Sequence, residues 1–326
     1  MNKIEFPRKG VDGIDRTKDE IESFWLEVED DIKKNVKKLR PRKPIEKDVK
    51  KDIINNLKDI LCLNPTEIMD VINGKKYSSF KTMANDPTEN KFRKKILNAF
   101  GYTRYRKSNR LSILANMLNV KVCPYCNMHY TLYAEKEKKK LTRFQFDHFI
   151  SKIDYPMFSM TLYNLIPSCG VCNQGKSQGN LPIEFNPYYS NIHEQFNFRL
   201  DNPIEMYMGV KISDDIAVHL SPKPNIQQPD VEEFDKVFHL STLYRRAGDV
   251  AQEVFDKVYC DTYYSYWSNF DFLSKEKKYL ERLYMGTYTD PKDIEKRPMT
   301  KFVQDMREQA FDEIQNGFLP DGIRRF

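Results

Sequence analysis

Three features of the sequence predict an α+β fold in which mainly helical flanks surround a small central module with a short antiparallel β extension. Apolar residues recur at three- and four-residue intervals from about Ile14 to Leu118, short β-rich runs fill the middle of the chain, and helical periodicity returns beyond residue 230. The divisions that follow are an N-terminal helical region over 1–118, a central module with its β extension over 119–230, and a C-terminal helical region over 231–326.

In the first region "IESFWLEVEDDIKKNVKKL" and "VKKDIINNLKDILCL" carry the helical period, and "RPRKP", with Pro41 and Pro44, separates them. Around Cys123 the pattern changes: "CPYCNMHYTLYAEKEKKKLTRFQFDHF" reads as two short strands joined by a charged turn, and "MTLYNLI" as a further strand. After Pro182, "EQFNFRL", "EMYMGVKI" and "IAVHLS" predict the antiparallel extension, and "SPKPNIQQPD" reads as a linker. Asp230 with Glu233 forms an N-cap signature for the last region, where Val250, Val254 and Val258 lie one turn apart. The aromatic cluster "YYSYWSNFDF" suits either a core or base stacking.

At 326 residues the chain is long enough for two or three domains and can bury a core without staples. Hydrophobic residues at 40% and charged residues at 31% describe a globular protein, and apolar runs such as "LSILANMLNV" fall well short of a membrane span. The N-terminus has no apolar stretch of the kind a secretory signal needs, so a reducing cytoplasm is expected and the cysteines are read as thiolate ligands or buried thiols. The net charge of +6 is unevenly spread. Between Lys75 and Arg110 there are eleven Lys and Arg against Asp86 and Glu89 alone, while 201–240 runs acidic. Such a basic block, including Lys94, Arg104 and Arg106, suits a nucleic-acid backbone; a solvated helix face is the plainer alternative.

The stretch "SCGVCNQGKS" admits two readings. Gly170, Gly175, Lys176 and Ser177 satisfy the G-x-x-x-x-G-K-[ST] pattern of a phosphate loop, which needs a strand before it and a long helix after it. "QGNLPIEF", with Gly179 and Pro182, leaves room for only a short helix, so the match is set aside. The second reading pairs Cys169 and Cys172 with Cys123 and Cys126 of "CPYC": two C-x-x-C knuckles that form a closed, structural zinc site. The 42 residues between the knuckles exceed usual zinc-finger spacing, yet loop-closure cost rises only with the logarithm of length. Cys62 and Cys260 stand alone and are read as core, and His129 as packing beside the site.

Between and just after the knuckles come "FQFDHF" with Asp147 and His148, "LYNLI" with Asn164, and "VCNQGKS" with Asn173 and Lys176. Taken in that order with the knuckles, residues 119–180 resemble the HNH endonuclease family. The resemblance implies a ββα-metal fold for the zinc-stapled centre. It also implies His148 as general base, Asp147 and Asn173 as ligands of a catalytic divalent cation, and Asn164 as a brace for the loop that orients His148. Asn173 stands where the family often has His, and its neutral oxygen leans towards magnesium or manganese. The flanks, with "LNVKVCPYCN" before the site and "LPIEFNPYY" after it, also resemble the HNH proteins of Septu-like phage-defence systems, which implies an ABC-type or AAA ATPase subunit as partner.

The residue types suit phosphodiester hydrolysis on their own account. Imidazole is mostly neutral at cellular pH and can take a proton from water, and hard oxygen ligands suit a cation placed at the scissile phosphate. Lys176 is a candidate for contact with a neighbouring phosphate. The expected function is therefore a metal-dependent endonuclease acting on nucleic acid, DNA ahead of RNA, in anti-phage defence. The alternatives are a non-catalytic zinc-stapled nucleic-acid-binding or partner-docking subunit and, from the phosphate-loop pattern, a nucleotide-binding switch.

Overall fold

Two helix starts in the N-terminal part fall where a side chain satisfies one of the first amides. In the computed structural model, which describes residues 1–136, 139–142, 144–176, 181–203, 216–259 and 274–316, α1 (Lys18–Leu26) follows a capping box in which Thr17 Oγ1 accepts from Glu20 N and the Glu20 carboxylate accepts from Thr17 N. The same device, Asn64 with Glu67 and Pro65 at the first turn, starts α4 (Pro65–Ile72). Between them lie α2 (Glu29–Lys37) and α3 (Pro44–Cys62). The first predicted helix is thus broken in two at Glu27 and Val28, where Arg110 donates to Phe24 O (3.0 Å) and to the Glu27 carboxylate (2.6 Å). After α5 (Ser78–Asn85) and α6 (Asn90–Phe100), Gly101 at φ +71° turns the chain directly into α7 (Tyr102–Lys107), a left-handed position that suits glycine, and α8 (Arg110–Leu118) follows.

The chain is α+β and mainly helical, with small two-stranded antiparallel sheets. Its two compact units interleave along the sequence: one comprises Lys3–Val120 and Thr131–Ser190, the other Met1–Asn2, Lys121–Tyr130 and Asn191–Phe326. They do not follow divisions at 118 and 230, because residues of the middle segment pack into the N-terminal helices. Buried Trp25 donates to Met160 O (2.8 Å), Thr161 donates to Ile60 O (2.8 Å), and the Tyr163 hydroxyl donates to the Glu22 carboxylate (2.6 Å).

In the first unit β1 (Arg8–Lys9) pairs antiparallel with β2 (Asp15–Arg16), and a β-hairpin pairs β3 (Tyr133–Lys136) with β4 (Lys139–Thr142). Then β5 (Gln145–His148) pairs antiparallel with β6 (Leu165–Ser168), and α9 (Gly170–Lys176) follows at once, giving a β–β–α order. The strand predicted over "MTLYNLI" is confined to Leu165–Ser168. Pro156–Met160 and Leu162–Asn164 are tight 3₁₀ turns, whose apolar side chains are buried among the helices instead of alternating across a strand.

In the second unit β7 (Phe196–Leu200) pairs antiparallel with β8 (Val218–Pro222), the expected extension; "EMYMGVKI" lies outside the described residues. The helices are α10 (Gln228–Phe238), α11 (Leu240–Tyr244), α12 (Gly248–Tyr259), α13 (Ser274–Met285) and α14 (Thr300–Gln315). The N-cap of α10 is Gln227, with Pro229 in the first turn, so Asp230 lies inside the helix and not at its cap. The core is aromatic: Phe198 meets Tyr244 at 4.3 Å and Phe302 at 5.6 Å between ring centres; Val254 and Val258 of α12 are buried as well. Among the described residues no helix is long and apolar enough to cross a membrane. Cys260 and "YYSYWSNFDF" lie outside the described residues.

Candidate functional site

The knuckles shape their own thiols. In the first, Asn127 adopts a left-handed conformation at φ +51°, its amide donates to Cys123 O (2.9 Å), and Met128 N lies 3.4 Å from Cys126 Sγ. In the second, Cys172 N lies 3.4 Å from Cys169 Sγ at the start of α9. Cys123, Cys126, Cys169 and Cys172 are all buried, and their sulfurs lie within 4.8 Å of one another. A tetrahedral zinc with Zn–S bonds of about 2.3 Å holds its sulfurs roughly 3.8 Å apart, so the four thiols fit such an ion in both chemistry and size. His129 Nδ1 stands 3.7 Å from Cys126 Sγ, beside the set and outside it. Cys62 is half-buried, and burial pushes its thiol up to about 12, so it stays protonated.

At the end of β5, Asp147 and His148 face Ile166 and Leu165 of β6 across the ladder. Both are nearly sealed, at 4% and 7% exposure. His148 Nε2 lies 3.1 Å from the carbonyl oxygen of Ser159, which can only accept; the proton therefore sits on Nε2 and Nδ1 keeps its lone pair. The Tyr102 ring meets the imidazole edge-on, with 4.4 Å between centres. Burial holds the His148 pKa well below its ordinary value, Lys152 and Lys176 reinforce this, and the Ser159 carbonyl opposes it. The imidazole is neutral at cellular pH.

Asn164 lies in the 3₁₀ turn before β6 and is fully buried. Its Oδ1 accepts from Ile150 N (2.7 Å), and its Nδ2 donates to Ile150 O (3.1 Å) and Phe158 O (3.0 Å). It thereby ties both ends of the loop that leaves His148. Asn164→Ala strands these buried partners and is expected to cost about 2–4 kcal/mol of unfolding free energy, read by urea denaturation. Asn164→Asp, which keeps the acceptor, should fall between; an alanine variant as stable as the parent would remove the bracing role.

On α9, Asn173 is half-buried and its Nδ2 donates to Gln145 Oε1, which leaves the amide oxygen as the atom able to face a cation. The phosphate contact expected of Lys176 is corrected. Its side chain is buried, its ammonium donates to His148 O (2.7 Å), and it lies 3.4 Å from Asp147 Oδ2. Burial lowers its pKa and Asp147 opposes the shift, so Lys176 secures the Asp147–His148 backbone and meets no solvent. The helix also disposes of the phosphate-loop reading: Gly170 to Lys176 is helical, and Asn173 N is already bonded to Cys169 O (3.0 Å), so this backbone forms no anion cradle.

The basic block divides into paired and unpaired cations. Arg93 is buried, donating to Met83 O, Ala84 O and Asn90, and closes the end of α5. Arg104 pairs with Asp31 at 2.5 Å, and Arg110 with Glu27. Lys91, Lys94, Lys95, Arg106 and Lys107 are exposed and form no salt bridge among the described residues.

Beside the Asp147–His148 pair lies a cleft of about 380 Å³ whose wall includes Tyr102, Arg106, Gln145, Phe146, Lys152 and Asn173. Sequence reasoning gave no part to Tyr102, Gln145 or Lys152. Gln145, three residues before His148 in a strand, falls within the quoted motif and was open to notice; Tyr102 arrives from a helix more than 40 residues upstream, with no signal in spacing. The chain matches no protein-family model, and no curated protein and no solved structure shows significant similarity to it.

Proposed function

We propose that the chain is a metal-dependent nuclease of the HNH kind, hydrolysing phosphodiester bonds of nucleic acid with His148 as general base. The observation that carries this reading is the state of His148: a buried, neutral imidazole at the end of β5, its proton fixed on Nε2 by Ser159 O, next to Asp147 in a β–β–α unit closed by α9. Nδ1 is then the atom that takes a proton from water as the oxygen attacks phosphorus. Asn164 supports the reading by fixing the loop that carries Ser159's neighbour Phe158, and so the geometry of that proton.

Asp147 and Asn173 would hold the magnesium or manganese ion, with water and phosphate oxygens filling the remaining positions, in keeping with a hard ion held by few protein oxygens. When bound, it would neutralise charge developing at the scissile phosphate. Lys176, 3.4 Å from Asp147 Oδ2, fixes that carboxylate in place. The four-thiol set would hold zinc as a structural ion. The Septu-like resemblance adds an ATPase subunit as the trigger of activity.

The test is incubation of the purified protein with magnesium or manganese and plasmid, single-stranded DNA and tRNA, alone and with any ATPase encoded beside it. Cleavage of at least one polymer is expected. Binding without cleavage in every arm would favour the non-catalytic subunit.

A further inference from the structure

Arg106 and Lys152 differ from most of the cations around them; Lys107, on the same helix as Arg106, is also unpaired among the described residues but does not line the cleft. Arg104 and Arg110, on the same two-helix corner, are matched by Asp31 and Glu27, and Lys176 is matched by Asp147. Arg106 and Lys152 form no salt bridge among the described residues, yet both line the same cleft, whose wall holds no carboxylate among the described residues. Two cations in one concavity, with the Asp147 carboxylate acting on Lys152 from beside it but bridged to neither, repel one another, and an anion between them relieves that repulsion.

Lys152 is also fixed in place. Its ammonium sits over the Tyr102 ring, 4.8 Å from the ring centre, and the same ring meets the His148 imidazole. Tyr102 is held in turn by its hydroxyl, which donates to Phe146 O (3.1 Å). One aromatic ring therefore sets the cation of the cleft against the proposed base. Burial lowers the pKa of Lys152, with Asp147 opposing and Arg106 adding to the shift, which agrees with a charge held partly out of water beside a second cation. The remaining polar groups of the cleft, Gln145, Asn173 and Ser112, are neutral and suit ester and bridging oxygens or water.

We infer that this cleft seats a backbone phosphate of a nucleic-acid strand, with Arg106 and Lys152 as its two cations and Tyr102 as the residue that positions Lys152 next to His148. The inference rests on the nuclease reading, to which it adds the strand's path past the base. The phosphodiester is common to DNA and RNA, and the assay separates them.

The experiment uses the full chain carrying His148→Ala, so that binding is read without cleavage. Fluorescence anisotropy follows a labelled single-stranded DNA and an RNA of the same sequence across a salt series. Arg106→Gln and Lys152→Met are each expected to weaken binding about fivefold to tenfold, and together to flatten the salt dependence by roughly 0.7 in slope, the value for one phosphate of a single strand. Lys152→Arg should restore most of the affinity. Loss on both polymers assigns the backbone phosphate as the ligand; loss on one alone names that polymer. Unchanged affinity and slope in the double variant overturns the inference, as does a parent that binds neither polymer. Should Lys152→Met unfold by circular dichroism, exposed Arg106→Gln carries the same test. Failure of the two readings is distinguishable: cleavage by the parent with unaltered binding in the double variant removes the cleft and keeps the nuclease, whereas weakened binding without any cleavage by the parent keeps the cleft and removes the nuclease.

Discussion

His148→Ala is expected to lower the cleavage rate by a factor of about 10²–10⁴, the usual contribution of a positioned general base, while nucleic-acid binding and zinc content stay at parental values. The imidazole also makes the Ser159 contact and receives the Tyr102 edge, so some loss of stability will accompany the substitution. Thermal unfolding of the variant must therefore show a folded protein at the assay temperature. A pH profile of the parent gives an independent reading. The base acts in its neutral form, and burial holds its pKa well below 6.5, so activity should persist as pH falls through 6.5 and decline only well below it. The sign for stability runs the same way. Below about 6.5 the unfolded chain takes up a proton that the folded site refuses, so stability is complete above that pH and drains away on acidification. His193, which burial lowers to about 4, contributes in the same direction. Recovery of activity on returning to neutral pH separates reversible protonation of the base from loss through unfolding. Equal cleavage by variant and parent would sink the proposed mechanism.

What the sequence made legible is mostly local. Thr17 with Glu20, and Asn64 with Pro65 and Glu67, carry cap signals that three residues suffice to form, although the one cap read from the sequence, Asp230 with Glu233, lies inside its helix behind Gln227. The two C-x-x-C pairs converge because each knuckle is self-contained and only their meeting needs the fold. Burial was harder to read. Lys176 and Arg93 look like surface cations, and each is internal because a carboxylate or a set of carbonyls lies within reach. "MTLYNLI" has the composition of a strand, but Met160 and Leu162 are buried by helices far upstream, so the chain turns there instead of extending. The division into units at 118 and 230 missed the same long-range packing, of which the bonds Trp25 to Met160 and Thr161 to Ile60 are examples. Arg106 was read as one of a basic block; its pairing with Lys152 in a cleft depends on Gly101 turning α6 into α7, which charge counting does not reveal.

Cys169→Ser is expected to release zinc and to destabilise the protein by several kcal/mol. Four sulfurs within 4.8 Å of one another, all buried, cannot carry thiolate charge without a cation among them, since like charges out of water repel strongly. An ion that satisfies all four is held with an apparent free energy of roughly 10–16 kcal/mol in structural zinc sites, and that energy becomes folding energy wherever the site is absent from the unfolded chain. Serine keeps the size of the side chain and withdraws the soft ligand, so the effect reports coordination and not packing. It also removes the sulfur 3.4 Å from Cys172 N, which loosens the knuckle itself. Cys123→Ser, at the other knuckle, should behave alike. Cys62→Ser supplies the contrast: its thiol is kept protonated by burial, lies outside the four-sulfur set and should leave zinc content unchanged. Metal analysis of the purified parent should find zinc, and Cys169→Ser should melt at a distinctly lower temperature, with reduced solubility. Because a soft, closed site and a hard, open one differ in how firmly they hold their ions, brief chelation should remove magnesium-dependent cleavage while zinc stays bound. A parent free of zinc, together with a Cys169→Ser variant that melts with it, would show that the four thiols are a buried cluster without a metal.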